Sequence, residues 1–183
     1  METFSERKDL EENDRYSQDR KAVLGELDLS LIDEPIVDIV DCLASLPYCF
    51  PLQTCYGHLL CAPNQNLRSL DRIPCGYAGP VRYRIAYLAL CIENSRPGRA
   101  LLDSLAETSR IDPDYVQLGS ADWFWKRWPN SYTLQVEPGR FMTQDEITLQ
   151  FAEALHVQQI RDLFFSELRK LLVGELSGRL VDR

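Results

Sequence analysis

The segment Thr54-Cys55-Tyr56-Gly57-His58 sets a hydroxyl, a thiol and an imidazole within a few residues of each other, around a glycine. A thiolate is a nucleophile or a soft ligand, and an imidazole is a proton acceptor, so Cys55 and His58 are the candidate catalytic pair. Glycine reaches backbone conformations closed to other residues, so Gly57 is predicted to turn the chain and present its N–H to a ligand, with Thr54 beside it. No acid in the immediate stretch orients the imidazole. The same residues also read as a tight turn whose Cys is packed and whose His is merely exposed.

Other residues could extend such a site. Arg82 and Arg84 enter a predicted strand and are the best placed guanidinium groups for an anion. Trp123, Phe124, Trp125 and Trp128, with Lys126 and Arg127 among them, form the densest aromatic and basic cluster. Trp123 and Trp125 could stack on a base, although such rings more often bury into a core. Cys49, Cys55, His58, Cys61 and Cys75 make soft ligands locally abundant, but the paired Cys-x-x-Cys spacing of zinc sites is absent. Zinc is therefore disfavoured and no metal ligands are assigned, while a Cys/His metal domain stays open as an alternative. His156 falls inside a helical pattern and reads as an ordinary helical residue. Glycine-rich dinucleotide and phosphate loops, a paired-His zinc helix and a Gly-x-Ser-x-Gly elbow are all missing.

The elements that must position these residues follow from periodicity. Asp33 with Pro35 opens a helix in which Ile36, Val37, Val40, Leu43 and Ala44 recur at helical spacing. Tyr48 to Thr54 reads as a short strand, and residues 55–80 as a long loop broken by Gly and Pro. Arg82 to Ile92 reads as one central strand, Pro97 to Thr108 as a helix, and Tyr115 to Leu118 and Tyr132 to Glu137 as strands. Thr143 with Glu146 resembles a capping box opening a long C-terminal helix to Gly174, with a break near His156. The expected fold is one α+β domain over residues 17–183, a mixed or antiparallel sheet with helices packed on it. Residues 1–16, rich in charge and poor in apolar anchors, are expected to be a disordered acidic tail.

Composition narrows the partners. The net charge is −8, with 13 acidic and 5 basic side chains in residues 1–59 against 8 and 10 in residues 60–140. Generic nucleic-acid binding is disfavoured, because phosphate affinity needs clustered Lys and Arg, but the locally basic middle suits one anionic or nucleoside-type ligand. No apolar run reaches the ~18 residues of a spanning helix, and Met1 to Asp19 lacks the apolar stretch of a signal peptide. A cytoplasmic protein with no membrane partner is expected, its six cysteines read as reduced thiols.

The order of helix, strand, Cys-x-Gly turn, long loop, strand, helix, strands and closing helix resembles the wybutosine-synthesising tRNA methyltransferase family. That family carries Ser-Cys-Ser-Gly-Arg after its first strand, and Thr54, Cys55, Gly57 and His58 match its Ser, Cys, Gly and Arg positions. Here Gly79-Pro80-Val81 stands where the family has Gly-Gly-x-Trp. The resemblance implies a related fold over about Glu34 to Leu172. It also implies S-adenosylmethionine as cofactor and methyl transfer to a modified guanosine in tRNA, with the Cys55 turn near the methyl donor. A non-enzymatic interaction protein, engaging a partner through its long helix and acidic tail, is the contrasting expectation.

Overall fold

A computed structural model describes residues 4–141 and 144–181. The architecture is α+β, built on two antiparallel sheets. The larger contains β1 (Phe4–Ser5), β2 (Cys49–Cys55), β5 (Ala86–Ile92), β6 (Val116–Ala121) and β7 (Ser131–Val136), in the spatial order β1-β6-β7-β5-β2. The smaller contains β3 (His58–Leu60), β4 (Val81–Arg84) and β8 (Glu146–Leu149), in the order β3-β4-β8. The helices are α1 (Tyr16–Glu26), α2 (Val37–Ser45), α3 (Arg96–Glu107), α4 (Asp122–Arg127) and α5 (Phe151–Val181). Among the described residues, no helix is long and apolar enough to cross a membrane.

The two faces of the large sheet are covered differently. Leu88, Leu90, Leu134 and Val136 point to one side and join Ile39 and Leu43 of α2, Leu101 and Leu105 of α3, and Phe164 and Leu168 of α5 in one continuous core. Alternation sends the intervening residues to the other side. There Phe50 and Cys91 pack on Tyr16 of α1, and Ala89 packs on Phe124 of α4. Side chains directly opposite in an antiparallel ladder share a face. Cys55, Tyr87, Gln135 and Gln117, paired in register across four strands, therefore form a polar row on this second side.

Several sequence expectations change. Arg82 to Ile92 is not one strand, because the chain leaves the small sheet after Arg84, crosses at Ile85 and joins the large sheet at Ala86. The Tyr83 hydroxyl stabilises this crossing by donating to the Val136 carbonyl at 2.8 Å and accepting from the Ala86 N–H at 2.9 Å. The expected C-terminal helix begins later. Glu146–Leu149 is β8, paired with β4, and its alternation of exposed and buried residues outweighs the helical spacing read there. Thr143 lies outside the described residues. The helix then runs 31 residues without a break at His156, whose Nε2 meets Asp112 Oδ2 at 2.9 Å.

The charged N-terminal stretch is engaged from residue 4 onward. Phe4–Ser5 pairs with β6, the Lys8 N–H donates to Ser120 Oγ, and Asn130 bonds both the N–H and the carbonyl of Glu11. Few of these anchors are apolar side chains, so hydrophobic patterning does not reveal them. Residues 1–3 of the expected tail lie outside the described residues.

Candidate functional site

The Cys55 turn is held from both sides. Gly57 has φ +89°, in the left-handed region, and an added Cβ would lie 2.8 Å from Ala86 Cβ and 3.0 Å from its backbone nitrogen. Only glycine fits that approach. The sequence expectation has the Gly57 N–H meeting a ligand, and in the structure the N–H is directed at the turn's own thiol. The N–H lies 3.4 Å from Cys55 Sγ, and the carbonyl accepts from Arg161 Nη1 at 2.9 Å. Arg161, only 1% exposed, also donates to Asp162 and lies 4.2 Å over the Tyr56 ring. The Tyr56 hydroxyl and Arg72 donate to the same Asp162 carboxylate. This clamp from α5 fixes the back of the turn.

In front of the turn, Cys55, His58 and Asp33 converge. Asp33 Oδ2 accepts the Tyr56 N–H at 2.8 Å and lies 3.4 Å from His58 Nε2. Asp33 was read from sequence as a helix cap, but its side chain makes no capping hydrogen bond. It is instead the acid that orients the imidazole, which inspection of the neighbouring sequence could not supply. On the other side of the ring, Nδ1 lies 3.1 Å from the Ser69 carbonyl. Both nitrogens of the buried imidazole thus face acceptors, an arrangement that favours the doubly protonated ring. Burial opposes that charge, but the Asp33, Cys55 and Ser69 contacts outweigh it and push the His58 pKa up to about 10. Burial likewise opposes the Asp33 charge, yet His58 and the Tyr56 N–H hold its carboxyl below the usual range.

These groups open onto a cavity of about 280 Å³ lined by Thr54, Cys55 and His58 from the turn, with Asp33, Arg68, Arg84, Tyr87 and Asp145 around them. The register explains the gathering. His58 pairs directly with Arg84, and Arg84 with Glu146, which sets Asp145 at the rim. The lining carries both signs of charge, from Arg68, Arg84 and His58 on one hand and Asp33 and Asp145 on the other.

Of the residues singled out in the sequence, Thr54, Cys55, His58 and Arg84 line this cavity, and Gly57 supports it from behind. Arg82 is turned away, paired with Glu146 at 3.3 Å. The tryptophans are elsewhere. Trp125 packs edge-on against Tyr132 under Lys8 and donates to Glu11, and Trp123 lies edge-on beside Phe124 on α4. Asp33, Arg68, Tyr87, Asp145 and Arg161 were missed. Strand pairing brings Tyr87 and Asp145 to the turn, whereas Asp33 comes from the segment before α2, Arg68 from the loop after β3 and Arg161 from α5.

The fold and this cavity define an α+β domain with a polar pocket at the junction of two antiparallel sheets. No family model matches the sequence, and no curated protein matches it. Among solved structures, the chain is similar to the PH1069 protein from Pyrococcus horikoshii, with a TM-score of 0.50 and 10% identity, over 88% of this chain and 96% of that one. At that identity the likeness concerns the fold alone.

Proposed function

We propose that this protein binds a small nucleoside-type ligand carrying an anionic group in the cavity beside Cys55. The observation that carries the reading is the convergence of Arg68, Arg84, Thr54, Cys55 and His58 on one hollow of about 280 Å³. Small-molecule sites span roughly 300–1,000 Å³, so a ligand of modest size fills this one. Charges of both signs suit an amphoteric molecule. A carboxylate would meet Arg84 or Arg68, and a cationic group would meet Asp145.

S-adenosylmethionine has that character, with a carboxylate, an ammonium and a sulfonium around an adenosine. The match of Thr54, Cys55, Gly57 and His58 to the turn of the wybutosine-synthesising methyltransferases supports the same choice. Within this reading, Cys55 and His58 contact the reacting group and methyl transfer is the reaction. A tRNA substrate has less support, since a net charge of −8 repels a polyanion. The contrasting reading, an interaction protein using its long helix and acidic N-terminal arm, is weakened because that arm is bonded to the body of the protein, through Ser120 of β6 and through Asn130 and Asn94 beside β7 and β5.

Calorimetry with S-adenosylmethionine and adenosine 5′-monophosphate tests the proposal. Saturable binding is expected, weakened at least tenfold by Arg84→Gln, which leaves the core untouched. Absence of heat with both ligands in folded wild type would sink it and leave the interaction reading standing.

A further inference from the structure

We propose that Asp33, Cys55 and His58 form a mononuclear site for a divalent metal of zinc type, with one coordination position open to the cavity. A carboxylate oxygen of Asp33, Cys55 Sγ and a ring nitrogen of His58 all lie within 4.8 Å of one another. The Asp33 Oδ2 to His58 Nε2 separation is 3.4 Å. Around a tetrahedral ion with bonds of about 2.0–2.3 Å, neighbouring ligand atoms stand about 3.3–3.6 Å apart, so this edge is already at ligand spacing.

The surroundings have the features of a metal shell. A ligating histidine ordinarily fixes its ring through the other nitrogen, and His58 Nδ1 is engaged by the Ser69 carbonyl, which leaves Nε2 to the ion. The carboxylate is oriented by the Tyr56 N–H, and the thiol sulfur lies near the Gly57 N–H. On binding, the ion displaces the proton that His58 Nε2 shares with Asp33, and the set becomes thiolate, carboxylate and neutral imidazole, whose two negative charges neutralise a dication. Soft sulfur with nitrogen favours zinc over magnesium or calcium.

All three ligands line the cavity, so a fourth position faces Arg68 and Arg84. Three protein ligands with one open position is the pattern of a reactive zinc ion, whereas structural zinc is enclosed by four. Sequence spacing pointed away from zinc because the third ligand is Asp33. The cysteines that seemed to offer ligands, Cys49, Cys61 and Cys75, do not join the cluster.

This inference shares the cavity with the proposed ligand but does not depend on it. The full chain, stripped with chelator, is titrated with cobalt(II) as the probe. One equivalent is expected to bind with a thiolate-to-cobalt charge-transfer band and the strong visible absorption of a tetrahedral ion, both lost on adding zinc. Cys55→Ser should abolish the charge-transfer band, and Asp33→Asn and His58→Gln should each weaken binding at least tenfold. Cys61→Ser and Cys75→Ser should change nothing. Asp33→Asn retains an acceptor for the Tyr56 N–H, so it reports on the ion even if Cys55→Ser folds poorly. The inference is overturned if folded wild type gives no such band at one equivalent, if the band survives Cys55→Ser, or if Asp33→Asn binds cobalt as tightly as wild type. S-adenosylmethionine binding to the metal-free protein is measured in parallel, so the two ideas can fail separately.

Discussion

Two ends of one sheet face compete for attention in the sequence, and they turn out to be built on opposite principles. At the α4 end, Phe124 covers Ala89, and the rings of Phe124 and Trp128 stack with centroids 6.3 Å apart. Those aromatic side chains point into the sheet and satisfy one another. At the β2 end, Cys55, His58, Asp33 and Arg84 point toward each other across a hollow. Buried polar atoms without a hydrogen-bond partner occur at both ends, at Thr54 Oγ1 in the turn and Gln117 Oε1 and Glu137 Oε2 beside the polar row, and at Thr133 Oγ1 opposite Ala89, so they do not separate the two regions. Density of chemically able residues along the chain is thus a poorer guide than convergence, and Tyr87, which lines the cavity and also touches the Phe124 cluster, marks the seam.

The β2 end should be disrupted most severely by substitution at Gly57. Gly57→Ala drives a Cβ to 2.8 Å from Ala86 Cβ at a φ of +89°. Backbone strain of about 1–3 kcal/mol adds to the clash, so a loss of roughly 3 kcal/mol or more is expected in urea unfolding. Because Cys55 and His58 flank this turn, cobalt binding by the surviving folded fraction should weaken as well. A loss below about 1 kcal/mol would mean the turn is not held against β5 as described.

How much of this was legible depends on the range over which each signal acts. Some local signals held. Pro97 lies in the first turn of α3, which Ser95, not singled out in the sequence, caps through the Gly98 N–H, and Val40 and Leu43 are buried on α2 as their spacing implied, joined by Ile39, which that reading did not include. The Cys55 turn was found because its residues are contiguous. Glu146 and the loop expected over residues 55–80 were misread locally, since Glu146–Leu149 is β8 and His58–Leu60 is β3, and the other failures are long-range. The split of β4 from β5 depends on the Tyr83 hydroxyl reaching Val136, and the acid for His58 comes from Asp33 across a helix and a strand. The aromatic run of α4 has the same composition whether it lines a pocket or caps a sheet, so its role could be decided only by where β5 places Ala89 and Tyr87.

A smaller effect should come from Glu137, at the polar end of the same face. Its side chain is fully buried, one oxygen accepts from Gln135 Nε2 at 2.6 Å, and the other is unpartnered. Burial, with a contribution from Asp145, pushes its pKa from 4.5 up to about 8. The folded pKa lies above the unfolded one, so the stability tied to this group is complete below about pH 4.5 and is lost as pH rises through about 8. Glu137→Gln removes the ionisation and keeps the acceptor for Gln135. The variant should be more stable than wild type at pH 8, on the order of 1–3 kcal/mol, with the difference vanishing near about pH 4. A difference independent of pH would show that the carboxyl is not held neutral in the fold.

The smallest expected effect tests the aromatic end. Trp123 is 56% exposed and meets Phe124 edge-on with centroids 6.0 Å apart. Trp123→Ala removes little buried area, so stability should stay within about 0.5 kcal/mol of wild type. Phe124→Ala, at a side chain only 5% exposed, should cost about 3 kcal/mol or more. Neither ring faces Cys55, so S-adenosylmethionine and cobalt titrations of Trp123→Ala should overlay those of wild type. A tenfold loss of nucleoside affinity at unchanged stability would reverse the contrast between the two ends. It would make Trp123 a stacking surface reached by a ligand that extends past Tyr87, joining the two regions into one site.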